Sequence, residues 1–130
     1  MKPSRTQIAF WILIGVAAVL AVTIYFLTLP PPFGKYDALA KCIANTSTTF
    51  YGAFWCPHCQ DQKRAFGDAA QYLPYVECST PDAQHETPVC VAAGVHAYPT
   101  WQFPDGSRAS GDQSMQTLSE KTGCALPTSS

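Results

Sequence analysis

The sequence predicts an α/β domain, a small mixed sheet flanked by helices, carried behind one membrane-spanning helix. Three observations lead there. An uncharged apolar run, Ile8 to Leu29, precedes a remainder of ordinary polarity. In that remainder, short β-branched and aromatic runs alternate with amphipathic ones, the pattern of a layered α/β domain. The pair Cys56-Pro57-His58-Cys59 then falls where a strand run gives way to a helical one.

The elements follow in order. Residues 1–7 form a short flank, and the 22 residues from Ile8 to Leu29 match the roughly 20 needed to cross a bilayer as a helix. A cleaved signal would have a shorter apolar stretch and a small-x-small site, so a retained anchor is the expectation. Lys2 and Arg5 precede the span, and the positive-inside rule puts the N-terminus in the cytoplasm and the rest on the exported side. That side is a periplasm, a cell exterior or a thylakoid lumen. Pro30-Pro31-Pro32 cannot continue a helix, making 30–34 a stiff spacer.

The domain is expected over 35–124, with 125–130 as a tail. Asp37 to Ile43 has helical spacing, with Leu39, Cys42 and Ile43 on one side. Ser47 to Trp55 reads as a buried strand. A helix opens at Pro57 and runs to about Leu73, with Gly67 as a kink. Pro74 to Cys78 is a second strand, Ser79 to Thr87 a polar loop, and Val89 to Ala93 a helix stopped by Gly94. Tyr98 to Phe103 is a third strand, turned by Pro104-Asp105-Gly106 into Ser107–Ser110. A last helix runs from Asp112 or Gln113 to about Gly123.

Composition excludes some functions. Beyond the apolar run there are six basic and nine acidic residues, a net of −3, with no basic patch of the kind nucleic-acid binding needs. All six cysteines lie beyond the span, and an even number suits an oxidising compartment.

The chemistry centres on Cys56 and Cys59. Two thiols three apart at a strand-to-helix junction are close enough to bridge, with Cys56 at the helix N-terminus. Unpaired N–H groups and the positive end of the dipole stabilise a thiolate there, and His58 adds a charge when protonated. A stabilised thiolate favours the reduced form, making the disulfide a stronger oxidant. The other reading, half a zinc site, lacks a second Cys-x-x-Cys or a spaced His pair.

Trp55-Cys56-Pro57-His58-Cys59 resembles the active-site motif of the thioredoxin superfamily, in the Pro-His form of DsbA-type oxidases. Tyr98-Pro99-Thr100 resembles that family's cis-proline loop. The stretch Phe50 to Gln60, with Pro74 to Cys78 and Tyr98 to Trp101, is similar to the thioredoxin-like domain fused to bacterial and plant vitamin K epoxide reductase homologues. The resemblance implies a thioredoxin-like fold, with Cys56, Pro57, His58, Cys59 and a cis Pro99 forming the catalytic centre. Tyr98 would present its backbone to a bound peptide, and Trp55 and Trp101 would shelve the site or pack in the core. It also implies a quinone-linked, vitamin K epoxide reductase-like membrane protein as partner, because one span cannot form that multi-helix domain. The large helical insertion of DsbA proper has no counterpart here.

The resembling domains carry an extra cysteine pair where Cys78 and Cys90 flank the polar loop. A structural bridge is favoured, with a redox relay as the sharper alternative. Cys42 and Cys124 remain as a possible disulfide between the first and last helices, although in a thioredoxin-like topology these helices are expected on opposite faces. His85 and His96 read as ordinary polar residues. Ser47–Phe54 contains no carboxylate, so no buried acid beside Cys59 is evident. The expected activity is disulfide exchange with exported protein thiols, with no bound cofactor. Its rivals are a reductase or isomerase of the same fold and a non-catalytic tethered adaptor.

Overall fold

The computed structural model describes residues 4–28 and 34–128. The spacer prolines Pro30–Pro32, together with Lys2 and Leu29, lie outside the described residues. The chain divides into two compact units, one containing the first helix and the other everything after it.

The first helix, α1 (Arg5–Thr28), has 24 residues and so a length of about 36 Å at 1.5 Å per residue. Its mean hydropathy reaches 2.5 over an 18-residue window, and it is long and apolar enough to cross a membrane. Apolar side chains surround it, leaving no polar face to turn toward water. Two of its threonine hydroxyls are satisfied within the helix: Thr23 donates to the Val19 carbonyl at 2.8 Å and Thr28 to that of Tyr25 at 3.0 Å.

The second unit has a thioredoxin-like fold. It runs α2 (Asp37–Ala44), β1 (Thr49–Gly52), α3 (Pro57–Phe66), a 3-10 segment (Gly67–Tyr72), β2 (Tyr75–Glu77), α4 (Pro88–Ala93), β3 (Thr100–Gln102), β4 (Arg108–Ser110) and α5 (Met115–Thr122). The four strands lie in the order β2-β1-β3-β4. β1 pairs parallel with β2 and antiparallel with β3, and β3 pairs antiparallel with β4.

Successive strand residues point to opposite faces, and this sorts the core. Phe50, Trp101 and Phe103 share one face with Leu39 and Ile43 of α2, Cys59 and Phe66 of α3, and Leu118 of α5. Tyr51 points the other way and meets Cys78, Cys90 and Val95 at α4. Three helices thus cover one face and α4 the other. The expectation that the first and last helices of this unit lie on opposite faces is therefore corrected.

Other differences are local. The helix expected to reach Leu73 ends at Phe66, because Gly67 takes φ +59°, ψ −135°, a conformation open to glycine and costly to other residues. The strand expected over Ser47–Trp55 keeps only Thr49–Gly52. Beyond it the chain turns, with the Cys56 N–H bonded to the Ala53 carbonyl at 3.0 Å. The last helix starts at Met115 because Ser114 caps it, its Oγ accepting from the Thr117 N–H at 3.0 Å. Leu126, assigned to the tail, packs against the core.

Candidate functional site

Cys56 is the N-cap of α3, with extended φ −77°, ψ 119°, and Pro57 occupies the first turn, where a missing N–H costs nothing. Cys59 follows on the inward side of the same helix. Both are free thiols. Cys56 keeps 5 % of its surface exposed and Cys59 none, so any attack from outside meets Cys56 first. Burial pushes the Cys59 thiol up to about 12, and neighbouring Cys56 adds to the rise. A backbone hydrogen bond from Ala53 and the charge of Lys63 oppose it.

The Tyr98–Pro99 peptide is cis. The loop delivers the Tyr98 carbonyl to 3.5 Å from the Cys56 sulfur, which donates to it. Thr100 then enters β3 beside β1, so the sheet itself holds this loop against the cysteines.

Beneath Cys59 lies a group that reading along one strand could not find. Gly52 pairs with Glu77 across the β1–β2 ladder. A Cβ on Gly52 would lie 2.9 Å from the Cys59 sulfur, 2.7 Å from Tyr75 Cε2 and 3.4 Å from the Tyr75 hydroxyl. The phenol therefore approaches the buried thiol across a glycine. Tyr75 donates to Glu77 Oε2 at 2.7 Å, and Lys63 Nζ sits 3.4 Å above its ring. Burial, reinforced by the Glu77 hydrogen bond, drives this phenol well above its usual range. Glu77 Oε1 also accepts the N–H groups of Phe54 at 3.2 Å and Ser79 at 2.9 Å. As expected, Ser47–Phe54 supplies no carboxylate to Cys59; the half-buried Glu77 comes from the adjacent strand and reaches toward the thiol only through the Tyr75 phenol.

Trp55 is half exposed beside Cys56, its Nε1 donating to Ser79 Oγ at 2.8 Å and its ring edge-on to Tyr98 at 6.2 Å. Trp101 corrects the expectation of a shelving residue. It is fully buried, stacked on Phe50 at 4.5 Å, and belongs to the core. Its Nε1 reaches Gln62 Oε1 at 3.3 Å, an atom that also accepts the Gln113 N–H at 2.7 Å. The Gln62 amide returns a hydrogen bond to the Gln113 carbonyl at 3.1 Å, tying α3 to the segment before α5.

His58 is exposed and lies 3.3 Å from Asp112. Among the described residues, His58, Asp61 and Asp112 bring ligand atoms within 4.8 Å of one another, all exposed. Asp61 is engaged by the Arg64 guanidinium, which competes with any cation there. His96 pairs with Glu86 at 3.1 Å, and Glu86 also accepts from the Tyr98 hydroxyl. The Tyr98 hydroxyl, then His96, holds the Glu86 carboxyl below the usual carboxylate range.

The other four cysteines form two disulfides. Cys78–Cys90 closes the polar loop with both residues wholly buried, which fits a structural bridge better than a relay. Cys42–Cys124 joins α2 to the residue following Gly123, with Cα atoms 5.8 Å apart. Sharing one face of the sheet makes that pairing geometrically open.

A thioredoxin-like sheet, a dithiol at a helix N-cap and a cis-proline carbonyl against the outer sulfur together define a thiol–disulfide oxidoreductase-like domain. The comparison with known proteins agrees: the chain is 40 % identical over 93 residues to the thiol-disulfide oxidoreductase LTO1 of Arabidopsis thaliana. The match covers 68 % of this chain but only 24 % of that relative's length. No family model matches the sequence.

Proposed function

We propose that this chain is a membrane-anchored thiol–disulfide oxidoreductase that exchanges disulfides with exported proteins through Cys56 and Cys59. The observation that carries the reading is the ordering of the two sulfurs. Cys56 is marginally exposed, at a helix N-cap and touched by the Tyr98 carbonyl, while Cys59 is sealed behind it.

In the oxidising direction, a substrate thiolate attacks Cys56 Sγ of the Cys56–Cys59 disulfide. That bond breaks and Cys59 leaves as a thiolate. Lys63 eases the charge, and the high proton affinity of the buried sulfur draws a proton onto it. A second substrate thiolate attacks its own sulfur in the mixed disulfide, releasing Cys56. Two electrons enter the enzyme, two protons follow them, and the substrate leaves with a disulfide. The Pro57-His58 pair and the helix N-terminus favour this direction by stabilising the reduced state. The anchor α1 would hold the domain on the exported side. A quinone-linked, vitamin K epoxide reductase-like protein, separate or joined in a longer precursor, would reoxidise it.

The test is the reduction potential of Cys56–Cys59 in the full chain, held in detergent and equilibrated against glutathione. A value of about −120 to −180 mV supports disulfide donation, and one near about −270 mV makes the protein a reductase. No titration at all would reduce it to an inert adaptor.

A further inference from the structure

A cavity of about 150 Å³ is lined in part by residues that adjoin Cys56, and the exchange reaction does not use it. Its walls include Trp55, Tyr98, Ser79, His85 and Glu86, with Cys78 among the lining residues. Two of these residues connect it to the chemistry. Trp55 precedes Cys56 in the chain, and the Tyr98 carbonyl touches Cys56 Sγ. A peptide joined to Cys56 and running along Tyr98 therefore has a neighbouring side chain within reach of this cavity.

The wall is built in advance. The Cys78–Cys90 bridge fastens both ends of the 79–87 loop. Within it Ser79 pairs with Glu86, the Thr87 N–H bonds to the Cys78 carbonyl at 2.9 Å, and the Thr80 N–H to that of His85 at 2.9 Å. Binding there would cost little ordering of the loop.

Apart from His85 in the lining and His96 paired with Glu86, its charges have one sign. From Tyr75 to Pro99 the chain contains Glu77, Asp82 and Glu86 but no lysine or arginine. Glu86 reaches into the lining, with Tyr98 and His96 each occupying part of its acceptor capacity and leaving lone pairs over. Beside it lie the rings of Trp55 and Tyr98. A carboxylate next to aromatic faces suits a cation on a flexible apolar stem.

We propose that this cavity is a specificity subsite, resting on the exchange reading above, that takes a lysine or arginine side chain flanking the reacting cysteine of the substrate. Glu86 pairs with its charge, Trp55 and Tyr98 pack along its stem, and the disulfide-fastened loop keeps the site formed.

The test uses the oxidised full chain in detergent and dithiol peptides identical except for Lys, Gln or Glu beside the first cysteine. Reduction of Cys56–Cys59 is followed by tryptophan fluorescence at matched concentrations of peptide thiolate. The Lys peptide is expected to react roughly tenfold faster than the Glu peptide at low salt, the scale of one close charge pair. Glu86→Gln, which keeps an acceptor for Tyr98, should bring the two rates within about twofold. Asp82→Asn, in the same loop but outside the lining, should leave the preference intact. A preference that survives Glu86→Gln, or that vanishes equally in Asp82→Asn, overturns the subsite. Failure of all three peptides to react overturns the exchange reading itself.

Discussion

Replacing Gly52 by alanine tests the arrangement beneath the dithiol most directly. The added methyl would meet Tyr75 Cε2 at 2.7 Å and Cys59 Sγ at 2.9 Å, against an ordinary carbon contact of about 3.5–4.0 Å. Neither neighbour can yield cheaply. Cys59 has no exposed surface, and the Tyr75 ring is fixed by Phe50 edge-on at 5.2 Å, by Lys63 above it and by Glu77 at its hydroxyl. Each must move by about 0.7–1 Å, and overpacking of that kind costs roughly 2–3 kcal/mol. For a domain of this size the melting temperature should fall by roughly 10 °C or more. Thermal melts of the full chain in detergent, followed by near-UV circular dichroism, would read it through Phe50, Tyr75 and Trp101. Gly15→Ala, where nothing lies within 4 Å, is the control. A Gly52→Ala protein that melts within about 2 °C of the parent would refute the close approach of phenol and thiol.

Four further outcomes follow from the structure of the domain. Because Cys59 is pushed up to about 12, its attack on a Cys56 mixed disulfide should accelerate about tenfold per pH unit from pH 7 to 9, and quenched-flow rates independent of pH would contradict this. The buried neutral thiol also stabilises the reduced protein below its unfolded value of 9.0, and that contribution is lost as pH rises toward about 12; urea midpoints of the reduced form should drop between these limits. Gln62→Leu removes three hydrogen bonds at a buried amide and should cost roughly 2–4 kcal/mol in urea unfolding, whereas a loss under about 0.5 kcal/mol would mean the network carries no weight. Loss of the Cys42–Cys124 bridge, which spans 82 residues, should destabilise by roughly 4.5 kcal/mol, against roughly 3 for Cys78–Cys90 across 12; equal urea midpoints for the two double-alanine variants would count against the loop-entropy account.

What could be read from the chain alone was whatever is local in it. The apolar run, the Cys56–Cys59 spacing, the proline opening α3, the glycine ending α4 and the turn at Pro104-Asp105-Gly106 are patterns within a few residues, and local sterics and solvation decide them. The strand–helix order implied an α/β layer. What depends on which strand lies beside which was out of reach. Glu77 is 25 positions from Gly52 along the chain, and only the parallel β1–β2 register makes them neighbours. Trp55 and Trp101 are the same residue type, one adjoining the dithiol and the other the cis-proline loop. One is half exposed and the other sealed on Phe50, because β3 lies against the centre of the sheet and the residue before α3 does not. The pairing of Cys42 with Cys124 likewise required knowing that α2, α3 and α5 share one face. A sequence carries local preferences at each position. Long-range contacts arise from how the sheet and helices solve the burial of all apolar faces together, and only the tertiary structure contains that solution.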